Sequence, residues 1–297
     1  MSTTLQPSPL ARKLGAFISL TDADLSLLDT LQKRRRSFPA GSDLVHEGRS
    51  GNSAYILMQG WAVSYKILPE GTRQIIDLHI PGDFLGLHGV LFQSADHDIA
   101  SLTPVEVSEV SVNDFSVAFQ RSPRLATAAL WAVSRYQARL VEHLVSLGRR
   151  DARQRIAHFL LELSARLNLV GLGSLRDYEC PLTQYLLADA LGLSSVHVNL
   201  VLRDLREDGL LTVRDGKVIF DDLERVVALA EFDGKYLDQE GPLQRKTAYE
   251  DRPLARVLDL PVQGGRPPVA AQRDVSGRAA ADRSAVNLTA VPLHRVS

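Results

Sequence analysis

The sequence predicts an α+β chain in three parts: an N-terminal β domain, a single long helix, and a C-terminal winged helix-turn-helix. Three observations carry that prediction. Glycines at 41, 51, 60, 71 and 82 recur every nine to eleven residues with short alternating apolar runs between them, the texture of a β sandwich or barrel. From Pro123 to Gly148 apolar side chains recur at alternating steps of four and three with no internal breaker. The stretch "LTQYLLADALGLSSVHVNLVLRDLREDGLL", residues 182 to 211, holds two capped helical patterns either side of one glycine turn.

Length and composition bound the classes available. At 297 residues the chain has room for about two domains of usual size. Its 34 basic residues nearly balance 35 acidic ones, so no global charge draws it to nucleic acid or to a membrane, and any nucleic-acid site has to be local. No apolar run approaches the ~18 residues of a membrane span. The start, MSTTLQPSPLARK, lacks the apolar stretch of a secretory signal, so a cytoplasmic protein is expected. A single cysteine, Cys180, excludes an intrachain disulfide and any iron-sulfur or zinc site built on several thiolates of one chain; it reads as a small semi-apolar residue before a helix. Catalysis is not expected, because "HEGRS" at 46 to 50 lacks the second His of a zinc protease and neither G-x-S-x-G nor G-x-x-x-x-G-K-[ST] occurs. Neither a metal nor another cofactor is expected.

Taken in order, Thr21 and Asp24 form a capping box ahead of Leu25, Leu28 and Leu31, so a short helix leads into the β domain, placed at 14 to 121. In "WAVSYKIL", Trp61, Val63, Tyr65 and Ile67 share one face and Ala62, Ser64 and Lys66 the other; "PEG" turns the chain into a run where Ile76, Leu78 and Ile80 alternate with Asp77 and His79. A last strand is expected around Val105 and Val107, which leaves "GDFLGLHGVLFQSADHDIAS", residues 82 to 101, between two strands. Its glycines would bring backbone N–H groups close to an anion. Yet no Arg or Lys stands between Arg73 and Arg121, and Asp96 and Asp98 sit where one is wanted.

The long helix, 122 to 148, offers Ala126, Leu130, Val133, Gln137, Leu140, Leu144 and Leu147 as a seam for a second copy, leaving Trp131, Tyr136 and Val141 for its own domain. Gly148 to Asp151 reads as a helix end, a hinge and a new start, and the second domain runs from 149 to 232. Ile156, Phe159, Leu160, Leu163 and Leu167 form the buried stripe of its first helix, which "GLGS" ends. Thr183 and Ser194 cap the next two helices across Gly192. In the second of these, 194 to 208, Val198, Val201, Leu202 and Leu205 face the core, so Ser195, Val196, Asn199, Leu200 and Arg203 point outward, where a recognition helix meets the major groove. Asn199 can pair with adenine N6 and N7, Ser195 suits a base or a phosphate, Val196 a thymine methyl, and Arg203 a phosphate; Leu200 offers only an apolar contact. "LLTVRDGKVIF" folds about Asp215-Gly216 into a wing with Arg214 and Lys217 at its tip. Thr183, Gln184, Ser194, His197 and Lys217 complete the expected DNA-binding set. Leu223, Val226, Val227 and Ala230 mark a closing helix, and 239 to 297, rich in Pro, Arg, Gly and Ala, reads as a disordered tail.

"PGDFLG" at 81 to 86, "LTQYLLADALGLSSVHVNLVLRDL" at 182 to 205 and the wing ending in "GKVIF" resemble the Crp/Fnr family of bacterial transcription regulators, over residues 14 to 232. The resemblance implies a cyclic-nucleotide-binding-like β-roll as sensor, dimerisation through the long helix, a palindromic operator in double-stranded DNA, and RNA polymerase as a further partner. The sequence departs from the family pattern in the sensor. Cyclic-AMP-binding members carry a Glu after Gly86, here Leu87, and an Arg-Ser pair that falls at about Ala95 and Asp96. Charged hydrogen bonds are worth about 1.5 to 3 kcal/mol each, so losing two removes roughly two to four decades of affinity. Tight binding of cyclic AMP or cyclic GMP is therefore not expected, and an effector site at Gly86, Leu87, His88, Gly89 and Val90 would be apolar or neutral. The cysteines of cluster-bearing members are absent. His79, His88 and His97 read as hydrogen-bonding groups rather than haem ligands. Members commonly carry an Arg where Leu200 stands, which keeps open a ligand-sensing or protein-interaction module with a weakened DNA-binding helix.

Overall fold

The computed structural model describes residues 7–50, 53–92 and 94–237; the tail expected at 239–297 lies outside them. Two short helices, α1 (Pro9–Gly15) and α2 (Asp22–Leu31), open the chain. The capping box of α2 forms as expected, with Thr21 and Asp24 each accepting from the other's backbone N–H. Helix α1, at seven residues, is too short to show a period in the sequence, yet it buries Leu10 and Leu14.

Eight strands follow, β1 (Arg35–Phe38), β2 (Asp43–Val45), β3 (Ser53–Gln59), β4 (Ala62–Ile67), β5 (Arg73–His79), β6 (Phe84–Leu85), then after helix α3 (Leu87–Leu91), β7 (Asp98–Ser101) and β8 (Val105–Ser111). They make two antiparallel four-stranded sheets, ordered β1-β8-β3-β6 and β2-β7-β4-β5. Leu57, Leu85, Ile99 and Val107 fill the space between the sheets. The outer faces are covered as well. Ile56, Met58 and Val110 pack against α1, α2 and the helices that follow the roll. Val63, Ile75, Leu78 and Ile80 join the core of the C-terminal domain.

That double burial is why simple alternation fails in the β4–β5 hairpin. Ala62 and Ser64 are as buried as Val63 on the opposite face, while Ile67 emerges at the exposed end. A bulge adds to it, since Ser64 pairs with Asp77 and Tyr65 with Ile75, leaving Ile76 unopposed. Ile75, not Ile76, therefore shares the core with Leu78.

Helix α4 (Val112–Arg121) and the long α5 (Pro123–Arg149) are separated only by Ser122, whose hydroxyl accepts from Leu125 N and donates to Asp24. The next break falls at Arg150 and Asp151; Gly148 stays helical. Asp151 caps α6 (Ala152–Val170), which is buried on more than the expected stripe, with His158, Ser164 and Arg166 also inside. Strand β9 (Asp177–Glu179), helices α7 (Gln184–Leu191) and α8 (Ser195–Glu207), strands β10 (Leu211–Arg214) and β11 (Lys217–Phe220), and helix α9 (Leu223–Ala230) complete the winged domain. The closing-helix residues Leu223, Val226, Val227 and Ala230 are all buried.

Sensor and winged domain are joined by a buried ionic network. Asp83, from the turn after β5, accepts from Lys13 Nζ of α1 (2.5 Å) and from Arg166 Nη2 of α6 (3.0 Å). Asp77 of β5 accepts from Arg139 of α5 (3.1 Å) and lies 3.4 Å from Arg166 Nη1. Glu162 approaches Arg166 at 3.7 Å and accepts from Tyr236 at 2.8 Å. The three carboxylates match the three cations. Gly82 makes the turn possible: its φ is +92°, and a Cβ there would come within 2.9 Å of the Pro9 backbone. Burial alone would raise the Asp83 carboxyl; Lys13, Arg166 and Arg139 outweigh it and hold it well below the usual carboxylate range. Burial likewise opposes ionisation of Asp77, and Arg139 and Arg166 prevail.

Replacing Arg166 with Met should leave buried carboxylates uncompensated and cost about 3–5 kcal/mol in urea denaturation. Because Asp83 and Asp77 titrate lower in the folded chain than in the unfolded one, their stabilisation is complete above about pH 4 and is lost as pH falls below it. Melting temperatures should therefore drop on acidification less steeply in Asp83→Asn than in the parent chain.

Candidate functional site

Among the described residues, two places gather chemistry. The first is the outward face of α8. Thr183 Oγ1 accepts from Leu186 N and Ser194 Oγ from His197 N, both at 3.2 Å, so both hydroxyls serve as helix caps. Gly192, at φ +61°, turns the chain so that α7 and α8 meet at 104°, within the range of a helix-turn-helix. Val198, Val201, Leu202 and Leu205 are buried against α6, α7 and the wing. Opposite them Val196 is 70% exposed, Leu200 45%, and His197, Asn199 and Arg203 are open to solvent; Ser195 is half-buried. Gln184 Nε2 donates to Asn199 Oδ1 at 3.3 Å, which ties the amide of this exposed side chain to α7. Tyr185, 72% exposed beside Gln184, belongs to the same surface and was not singled out by the sequence, where it sits just ahead of an apolar run.

The wing forms as expected. Asp215 and Gly216 adopt φ of 52° and 73°, a type I′ turn, and β9 adds a third strand along β11. The exposed cations here have carboxylate neighbours: Arg203 lies 3.7 Å from Glu207, Arg214 3.0 Å from Asp215, and Lys217 3.2 Å from Glu179. Within 183–220 the sequence carries four basic residues, Arg203, Arg206, Arg214 and Lys217, and five acidic ones, Asp189, Asp204, Glu207, Asp208 and Asp215. The general electrostatic pull on a phosphate backbone is correspondingly slight.

The second place is a cavity of about 120 Å³ between the roll and α5. Of the expected effector residues, Gly86, Leu87 and His88 line it. Gly89 is buried beside Ala95 instead, and the side chain of Val90 lies outside what the structure describes. Ser64, His79 and Asp83 from the roll, with Val133, Tyr136 and Arg139 from α5, complete the polar and apolar walls. These were missed because they come from distant segments. The lining cations, Lys13 and Arg139, are bound to Asp83 and Asp77. Burial pushes the His79 imidazole down to about 4, so at neutral pH it is uncharged, hydrogen-bonded to Ser64 at 2.5 Å. Cys180, whose backbone N–H donates to Gly216 of the wing turn, is buried with its thiol pushed up to about 11 by that burial, which leaves it unreactive.

A β-roll against a long helix, followed by a winged helix-turn-helix with an exposed face on its second helix, defines the architecture of a transcription regulator with a helix-turn-helix DNA-binding domain. Residues 35–122 match the family described as "Cyclic nucleotide-binding domain" and 154–229 the "Crp-like helix-turn-helix domain". The chain belongs to the Crp/Fnr family of transcription regulators. It is 31% identical over 214 residues, 71% of its length, to the nitrogen fixation regulation protein FixK of Bradyrhizobium diazoefficiens, covering 88% of that protein. It is 26% identical over 213 residues to the transcriptional activator protein Anr of Pseudomonas aeruginosa, covering 72% of this chain and 87% of that one. The solved structure of FixK2 from Bradyrhizobium japonicum superposes with a TM-score of 0.58 at 27% identity, over 66% of this chain and 96% of that one.

If Arg203 meets a phosphate, Arg203→Ala should weaken DNA binding alike on all sequences and flatten the plot of log affinity against log salt by about 1 for each recognition helix engaged. An unchanged slope between ~50 and ~200 mM salt would remove Arg203 from the interface.

Proposed function

We propose that this chain acts in the cytoplasm as a homodimeric, sequence-specific regulator, without catalytic activity, whose two α8 helices enter successive major grooves of a palindromic operator about 34–36 Å apart. The observation that carries the reading is the outward face of α8, with Asn199 held by Gln184 between the exposed Val196 and Arg203. Asn199 is the adenine reader, Val196 and Leu200 pack on thymine methyls, and Ser195, Arg203 and Lys217 meet the backbone. An interface of this composition favours A·T-containing half-sites.

Dimerisation through α5 is supported by its unpaired apolar stripe. Leu130 is 67% exposed and Leu144 70%, with Val133 and Val141 also open. Val141, expected to pack on its own domain, is 57% exposed instead, so the proposed seam runs Leu130, Val133, Gln137, Val141, Leu144, while Leu140 and Leu147 turn partly inward. A straight α-helix drifts by about 20° per heptad from a strict 3.5 repeat, which is why the exposed stripe leaves the expected line in its last two turns.

The cavity supports a sensor that does not hold cyclic nucleotides, since its two cations are already neutralised and Leu87 lines it. The slight net charge around α8 and the exposure of Leu200 favour a second reading, an interaction module with weak DNA affinity. Selection of bound fragments from the genome separates the two. A symmetric footprint, lost in Asn199→Ala and in the Leu130→Glu, Leu144→Glu monomer, supports the regulator; no enrichment over random DNA at ~150 mM salt, where non-specific binding is weak, defeats it. Calorimetry should show no dissociation constant of micromolar or better for cyclic AMP or cyclic GMP, given the two to four decades, roughly, that the missing charged hydrogen bonds remove.

A further inference from the structure

Three donors, one from α3 and two adjacent residues ahead of β7, meet at the edge of the sensor. His88 lies on α3, and Asp96 and His97 precede β7. His97 Nδ1 is 2.8 Å and His88 Nδ1 3.2 Å from the same Asp96 oxygen, and the two imidazoles meet edge to face with centroids 5.7 Å apart. All three ligand atoms lie within 4.8 Å of one another. From this geometry we propose that His88, Asp96 and His97 bind a divalent first-row transition metal ion, of which Zn²⁺ is the simplest probe.

The donor set decides the class of ion. Two imidazoles and one carboxylate suit zinc, iron or nickel, whereas magnesium and calcium take oxygen ligands alone. A tetrahedral ion with bonds of about 2.0–2.1 Å holds neighbouring ligand atoms about 3.3–3.5 Å apart. The two pairs that touch Asp96, at 2.8 and 3.2 Å, are closer than that, so binding requires the side chains to rotate and open the cluster around an ion. Access is open, with the His88 side chain 39% and that of Asp96 58% exposed.

Three protein ligands leave a fourth position free, as in zinc sites that take up water or a small anion rather than closed structural ones. His88 and His97 also line the cavity beside α5, so an ion there stands at the cavity wall and ties α3 to the entry of β7. The site goes beyond the DNA-reading proposal and is tested without DNA.

The test uses the full chain without an affinity tag, stripped with chelator and titrated with Zn²⁺ against a chromogenic competitor. One ion per chain with a micromolar or tighter dissociation constant is expected. His88→Ala and Asp96→Asn, both at open positions, should each weaken it by more than the about 10–100-fold that loss of an outer hydrogen-bond partner costs. Co²⁺ in place of Zn²⁺ should give visible bands that both variants lose. Absence of saturable binding, or one-to-one binding that survives unchanged in both variants, would overturn the assignment and leave the cluster as two histidines hydrogen-bonded to one carboxylate.

Discussion

The arrangement of roll, long helix and winged domain depends on one buried contact, the Asp83 carboxylate held between Lys13 of α1 and Arg166 of α6. Apolar faces alone would let the roll slide against the winged domain, because Val63, Leu78 and their neighbours make non-directional contacts. Charges inside the interface do not tolerate sliding, since a displaced carboxylate would stay buried without a partner. Asp77, Arg139 and Glu162 extend the same constraint to α5, so one balanced set of charges fixes sensor, long helix and DNA-binding domain together. Whether such a network adds net stability over an apolar packing is secondary; what it supplies is a single register.

The network also sets the chemistry of the cavity. Lys13 and Arg139 reach its wall already neutralised, and His79 is kept uncharged by burial, so the space offers an anion little attraction. The glycine-rich turn also serves the fold: Gly82 lies against Pro9, and Asp83 anchors α6. Val133 forms part of the cavity wall and is itself 41% exposed, which puts the inside of the sensor one side chain away from the outer stripe of α5.

The winged domain was the most legible part of the sequence because its signals are local. Thr183, Gly192, Ser194 and Gly209 punctuate the helices, and Val198, Val201, Leu202 and Leu205 show the buried face by spacing alone. The roll was legible as a class but not in its faces, since β4 is covered on both sides and the bulge at Ile76 shifts the alternation of β5. Arg166 could not be picked out, because an Arg on a helix ordinarily faces water and only its distant partners Asp77 and Asp83 justify its burial. His88, Asp96 and His97 follow no recognised ligand spacing, and only the return of the chain from α3 to β7 brings them together.

The near-neutral reading face of α8 and the wing carries a consequence for how such a regulator would search a chromosome. A strongly basic domain is held by bulk DNA and spends its time sliding on sites that mean nothing to it. A segment with five acids against four bases escapes that sink, so most copies would stay free in solution and arrive at an operator by diffusion through space. Occupancy would then track copy number directly, and a small change in the amount of protein would be felt at the promoter without first saturating the genome.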